Sequence, residues 1–281
     1  MFKKLSLEQK LSFAVLLILS IAFIIPITRI ILTALMVDVE LQAAGGFMLF
    51  PETWTLYNFI RVLDPNDARA PIVRWFMNSV FVSVIFTVIS VKITAMSAFA
   101  FSKLQFKGRD ALFLTILFVS SFPAIVTIVP LFYMMRVFGW LNTSWALIFP
   151  GLAGVFNIFL TKQFMLGIPD ELLEAARMDG AGDIRIFYQI MLPLLKPILA
   201  IIAIFSFTFI WNDFFWPGIA INDIDRLTLT AGLQLARGTY WHFVARLSAA
   251  AVVAIVPMIF LYLFFEKWFI RGVSISAGIK G

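Results

Sequence analysis

Six stretches of this chain carry no charged residue and few polar ones: Leu11–Thr28, Trp75–Val91, Ala111–Met135, Val137–Thr161, Pro197–Asn212 and Leu247–Phe265. A helix needs about 20 apolar residues to cross a bilayer, and inside lipid only a helix or a closed barrel satisfies its own backbone. The pattern therefore predicts an all-α helical bundle with six spans, organised as a single membrane domain over 1–281. The first two spans are expected to run past one basic residue each, to about Met36 and Phe101. The third and fourth are separated only by Arg136, so their break is expected in the Gly139–Thr143 turn region. Longer polar connections remain at Val37–Pro71, with a short amphipathic piece around Trp54–Leu63, at Lys162–Lys196 and at Asp213–Arg246. No internal repeat or low-complexity segment is seen.

Composition agrees with a lipid solvent. Of 281 residues, 62% are hydrophobic and only 14% charged, 32 are Phe, and the mean hydropathy is +0.97. A soluble fold of this size leaves too much surface to hide such a composition. The absence of Cys excludes thiol catalysis and thiolate metal sites, and the single His242 argues against an imidazole metal centre. No metal site is expected.

The net charge of +6 is explained by its placement. One set of alternating connections holds Lys3, Lys4, Lys10, Lys103, Lys107, Arg109, Lys162, Arg177, Arg185, Lys196, Lys267, Arg271 and Lys280. The other holds Arg61, Arg69, Arg74, Arg136, Arg226, Arg237 and Arg246. By the positive-inside rule the richer set is cytoplasmic, which puts both termini inside. Membrane lipid is thus an expected partner, and nucleic acid is not required.

Lys3 and Lys4 ahead of an apolar run could suggest a signal peptide. No small-x-small cleavage site follows, so a retained first span is expected. Arg29 and Lys92 lie in spans but near interfaces, where their side chains can snorkel to head groups. The membrane centre then carries no charge, which disfavours a gradient-coupled carrier. Pro123, Pro130, Pro150, Pro197 and Pro257 would kink their spans. No G-x4-G-K-[ST] phosphate loop occurs, and there is neither a paired catalytic carboxylate at membrane depth nor a nucleophile with its base. The chain is not expected to be an enzyme.

The most informative connection runs from Ile168 to Pro193. Asp170 is a good N-cap after Pro169, Glu171 and Glu174 suit a helix first turn, and Gly180 is a natural stop. This predicts a cytoplasmic helix of about ten residues, roughly 15 Å long. Asp183 can cap a second helix leading into the fifth span. Ala175 and Ala176 leave a face small enough for close approach, beside the charge of Glu174. A lipid-surface helix would instead show large apolar residues flanked by Lys or Arg, and anionic lipid would repel this acidic face.

Glu174-Ala175-Ala176, then three residues, Gly180, nine residues, Ile190, one residue and Leu192-Pro193 resembles the E-A-A-x3-G-x9-I-x-L-P signature of bacterial ABC-importer permease subunits. Within that family, Gly139-Trp-Leu-Asn-Thr143, Trp211-Asn-Asp-Phe-Phe-Trp-Pro217 and the ending Arg271-Gly272 to Gly278-Ile-Lys-Gly281 are similar to the carbohydrate-uptake branch, in particular the maltose-type second permease. The resemblance runs from about Trp75 to the C-terminus. The first 70 residues match only in topology.

The resemblance implies a permease in a prokaryotic cytoplasmic (inner) membrane. Its expected partners are a second permease, two ATPase subunits and an extracellular or periplasmic sugar-binding protein. ATP and Mg would be bound by the ATPases, with no cofactor in this chain. Glu174, Ala175, Ala176 and Gly180, with Asp179 and Ala181 beside them, would form the ATPase-coupling helix. Asp213–Arg246 would reach toward the binding protein, and Ser274–Gly281 would touch the ATPases.

Sugars are held by aromatic faces and by amide or carboxylate hydrogen bonds. Trp211, Asn212 and Asp213 offer that chemistry at the outer end of span five, and Asn78 is a similar candidate near the outer end of span two. An interfacial aromatic belt would explain Trp216 but not Asn212. His242 is expected in a surface loop. Alternatives are a permease for another solute such as glycerol phosphate, a gradient-driven secondary transporter, and a membrane scaffold.

Overall fold

The computed structural model describes residues 6–65, 67, 70–239 and 243–278, with the side chains of 238, 239 and those beyond 266 not described; His242, and of the C-terminal tail residues 279–281, lie outside the described residues. All regular structure among the described residues is helical. Two compact units are distinguished, residues 1–73 with 232–256, and residues 74–231 with 257–281.

In the first unit, helix α1 (Leu7–Ala34) opens with a capping box: Ser6 Oγ accepts from the Gln9 N–H at 3.2 Å, and Gln9 Oε1 accepts from the Ser6 N–H at 3.0 Å. Its apolar residues from Leu11 to Ile27 are exposed on every side, the pattern of a helix whose solvent is lipid. Helices α2 (Asp38–Ala43) and α3 (Tyr57–Val62) follow in the Val37–Pro71 connection. Buried Asn58 closes the end of α1 by donating from Nδ2 to the Ala34 and Met36 carbonyls at 2.9 and 2.7 Å. The Arg29 guanidinium lies 4.6 Å from the Phe47 ring centroid and donates to the Leu49 carbonyl. Asp38 accepts from the Ala245 N–H, and Arg246 pairs with Asp67.

The second unit contains most of α4 (Ile72–Lys103), followed by α5 (Arg109–Ser120), α6 (Ala124–Val137), α7 (Ser144–Ile148), α8 (Val155–Leu166) and α9 (Glu171–Met178). Then come α10 (Asp183–Ile186), a π-helical turn Phe187–Met191, α11 (Leu192–Leu194), α12 (Lys196–Asn212) and α13 (Phe215–Ala220). Helices α14 (Leu229–Thr239) and α15 (Val244–Gly278) complete the chain.

Among the described residues, three helices, α1, α4 and α15, are each long and apolar enough to cross a membrane unbroken. The expected third span is instead α5 and α6, meeting at 97°. Pro123 at the start of α6 has no N–H to continue the ladder and biases Phe122 away from helix. The expected fourth span is reduced to α7, an irregular stretch 149–154 holding Pro150, Gly151 and Gly154, and the 12-residue α8. The fifth is α12, entered at 80° from α10–α11. Among the described residues, counting each bent pair as one span gives five, and α8 is a shorter apolar helix beside them, so bends and a short segment stand where the third, fourth and fifth apolar runs lie.

One buried cluster organises this unit. Leu173 and Ala176 of α9 pack with Ala95, Ala98 and Phe99 of α4, with Met165 of α8, and with Ile186, Phe187, Met191, Leu195, Ile198 and Ile202 on the path from α10 to α12. Burying each large aliphatic side chain contributes about 1.5–3 kcal/mol, so α9 and the entry to α12 are joined by a continuous apolar core. The π-helical turn ends two residues before Pro193, which has no N–H to give the Gln189 carbonyl inside that turn its α-helical bond.

Candidate functional site

Helix α9 spans eight residues, and its ends are built differently from each other. At the C-terminus the N–H of Gly180 donates to the Arg177 carbonyl and that of Ala181 to the Ala176 carbonyl, both at 3.0 Å, a Schellman closure. Gly180 adopts φ +78°, a conformation that costs any residue with a Cβ about 1–2 kcal/mol. The expected helix stop is therefore at Gly180. Arg177 then reaches Asp183 at 3.1 Å, so the Asp183 carboxylate pairs with α9 in place of capping α10.

At the N-terminus the expectation fails in an informative way. Asp170 occupies the N-cap position but has helical φ and ψ and makes no capping bond. Its Oδ1 instead accepts from Lys103 Nζ at 2.6 Å, and the same ammonium donates to the Ile168 carbonyl at 2.6 Å. The Lys103 side chain is 2% exposed against 73% for Asp170. A buried ammonium requires such partners, and here both belong to the lead-in of α9.

The six residues singled out on this helix fall on two sides. Glu174, Ala175, Asp179 and Gly180 are exposed, together with Leu172 and Met178, the latter 89% exposed. Ala176 is buried in the core beneath, and Ala181 packs against the same cluster. The small face expected from Ala175 and Ala176 together is thus split, because neighbouring helix positions point about 100° apart. Large exposed apolar residues at Leu172 and Met178 take the place of the missing alanine.

At the opposite end of α4, Asn78 Nδ2 donates to the Asp225 and Leu227 carbonyls at 2.8 and 3.0 Å, Trp75 Nε1 to the Ile224 carbonyl at 2.6 Å, and Ser79 Oγ accepts from the Leu229 N–H at 2.7 Å. Arg74 pairs with Asp225. Asp213 Oδ1 accepts from the N–H groups of Phe215 and Trp216, capping α13, and burial raises its carboxyl above the ordinary range against those two bonds. Trp216 Nε1 donates to the Ala146 carbonyl. Trp211 is 3% exposed, stacked on Phe207 and edge-on to Phe76. Of the four candidate substrate residues, Asn78, Trp211 and Asp213 are committed to holding segment 213–229 and its base. Asn212 is exposed, and its carboxamide makes no hydrogen bond among the described residues.

Asn142 was not singled out by sequence reasoning beyond its place in Gly139–Thr143. Its backbone takes φ +61°, the left-handed region that Asn tolerates better than most residues. Its Oδ1 accepts from the N–H groups of Asn222 and Asp223 at 3.2 and 3.0 Å, its N–H donates to the Ala220 carbonyl, and its carbonyl accepts from Arg226. Deeper in the bundle Asn157 Nδ2 donates to Ser206 Oγ at 3.2 Å, and Ser206 Oγ to Ser90 Oγ at 3.4 Å, joining α8, α12 and α4 through small polar side chains of the kind that let membrane helices approach closely.

Residues 93–275 match the family described as the binding-protein-dependent transport system inner membrane component. The arabinooligosaccharides transport system permease protein of Halalkalibacterium halodurans is 36% identical over 264 residues, covering 93% of each chain. The diacetylchitobiose uptake system permease protein of Streptomyces coelicolor is 32% identical, covering 94% of this chain and 87% of that one. A solved bacterial ABC transporter involved in the import of the acidic polysaccharide alginate has a chain similar in fold at TM-score 0.79 and 25% identity, covering 95% of this chain and 100% of that one.

Proposed function

The chain belongs to the family of binding-protein-dependent transport system inner membrane components, and we propose that it is the permease of a carbohydrate importer, coupled through α9 to ATP-hydrolysing partners. The observation that carries this reading is the two-sided construction of α9. Its outer face, with Glu174, Ala175, Met178 and Asp179, is free for a soluble partner, while Leu173 and Ala176 are fixed in the core shared with α4 and α12. A partner that moves the outer face must therefore move the membrane helices beneath it.

The remaining parts of the assembly follow from the same reading. A second permease completes the pore, two ATPase subunits bind ATP and Mg, and a binding protein delivers solute on the outer side, where segment 213–229 presents a braced surface. Alternating access then follows ATP-driven switching between two arrangements of the helices. An oligosaccharide is the substrate class favoured by two of the relatives above, which are named for arabinooligosaccharide and diacetylchitobiose systems.

The test is purification of the tagged chain from its native membrane in mild detergent, with identification of co-purifying subunits, followed by reconstitution and uptake of labelled sugars. Recovery of an ATPase, with hydrolysis stimulated by a sugar-loaded binding protein, supports the reading. Recovery of the chain alone, with uptake driven by an ion gradient, overturns it.

A further inference from the structure

We propose that Lys103 is a positioning residue that pins α4 to the start of α9, so that α4 moves with the coupling helix as one body. The inference deepens the importer reading and rests on it. The apolar contacts between Leu173, Ala176 and the α4 residues Ala95, Ala98 and Phe99 resist compression, yet such surfaces have no direction and permit sliding and rotation. The ammonium of Lys103 supplies what they lack. It donates to one backbone carbonyl and one carboxylate, those of Ile168 and Asp170, at 2.6 Å each. Two acceptors two residues apart fix both the height and the rotation of the segment that leads into α9.

The arrangement also sets aside an ordinary stabilising role. A capping carboxylate contributes about 1 kcal/mol to its own helix, and Asp170 stands at the cap position without making that bond. Its oxygen is turned to Lys103, the last residue of α4. Lys103 is buried although it ends a helix on the expected cytoplasmic side, where a lysine could extend into water. A lysine serving only membrane topology has no reason to be buried there.

The experiment uses the complete transporter in proteoliposomes, with Lys103→Met, Lys103→Arg, Asp170→Asn and the Lys103→Met/Asp170→Asn double variant. Three quantities are read: yield of assembled complex, ATP hydrolysis stimulated by loaded binding protein, and solute imported per ATP. Lys103→Met keeps the length and apolar stem, and leaves Asp170 to be solvated. Loss of a charge-assisted hydrogen bond pair at the pin is expected to lower the import per ATP roughly tenfold in complex that still assembles and hydrolyses. Lys103→Arg restores most of that ratio. The double variant falls no further than Lys103→Met, the non-additivity of groups acting as one contact. A lower yield with an unchanged ratio would show a structural role alone and overturn the proposal, as would wild-type values throughout for Lys103→Met. Absence of stimulated hydrolysis in the wild-type transporter overturns the importer reading instead, whatever the variants do.

Discussion

The carbonyl oxygen of Asn142 accepts from the Arg226 guanidinium at 2.8 Å, closing a ring of contacts in which Asn142 uses its N–H, its carbonyl and its side-chain oxygen at once. The sequence segment Gly139–Thr143 thus acts as a hub that braces 220–226 from beneath. Removing the side chain takes the acceptor from the N–H groups of Asn222, which is exposed, and Asp223, which is half-buried, at a cost of about 0.5–1.5 kcal/mol. Asn142→Ala adds the strain of a Cβ in the left-handed region. Asn142→Gly is relieved of that strain, and Asn142→Asp keeps both acceptor bonds. Thermal unfolding in detergent is expected to rank Asp nearest to wild type, then Gly, then Ala, with proteolysis of 220–226 rising in the same order. Equal stability of the Ala and Asp variants would remove the hub.

How much of this was legible beforehand depends on what each feature answers to. Helices α1, α4 and α15 follow from uninterrupted apolar runs, and Gly180 was readable as a stop because only glycine takes its φ without strain. The bend at Pro123 was not, since proline in a membrane helix kinks or breaks according to which neighbours re-satisfy the freed carbonyl. Asp170 had the right chemistry and position for a cap, but its choice between its own helix and Lys103 is tertiary. Trp211 and Asp213 have the side chains that hold sugars, and composition could not tell that one ring is enclosed by Phe207 and Phe76 while the other carboxylate is taken by α13. The braces through Asn78, Trp75 and Ser79 link positions about 150 apart, which periodicity never relates.

Gly180→Val places a branched side chain at φ +78°, where the Cβ itself meets nothing within 4 Å. The cost is therefore a backbone cost, about 1–2 kcal/mol, delivered at the C-terminus of α9. Insertion and expression are expected to survive, while co-purification of the ATPase falls. Glu174→Lys reverses an exposed charge on the outer face and is expected to loosen the same partner without changing the stability of the isolated chain. The check is ATPase recovered per permease, beside a melting curve. Wild-type recovery for both variants would separate α9 from docking.

Asp213 lies just beyond α12, and burial holds its folded pKa above the ordinary value of 3.8 despite the two N–H groups it accepts from. The folded state then binds more protons than the unfolded state in the window from 3.8 up to the raised value. Stability from this group falls as pH rises through that window, and the cost of the buried charge persists at neutral pH. Asp213→Asn keeps an acceptor for Phe215 and Trp216 without the charge. It is expected to match or exceed wild-type stability at pH 7, with a flatter pH dependence through that window, and to transport normally. A large loss of transport with intact folding would return Asp213 to the substrate path.

Asn212 separates the structural residues at this end of α12 from one that can meet a solute. Its neighbour Trp211 is enclosed, so Trp211→Ala is expected to destabilise by about 3–5 kcal/mol and to lower the yield of folded protein. Asn212 is exposed, and its carboxamide is free among the described residues to offer one acceptor and two donors to sugar hydroxyls. Asn212→Ala is therefore expected to leave the melting temperature and ATPase recovery unchanged while slowing uptake roughly tenfold, the scale of one or two lost hydrogen bonds in a confined path. Asn212→Gln tests the position as well as the chemistry, since the added methylene carries the amide past a contact made at its present reach. Uptake rates measured in proteoliposomes over a range of sugar concentrations decide the matter. Uptake by Asn212→Ala at the wild-type rate would place the solute path away from this end of α12.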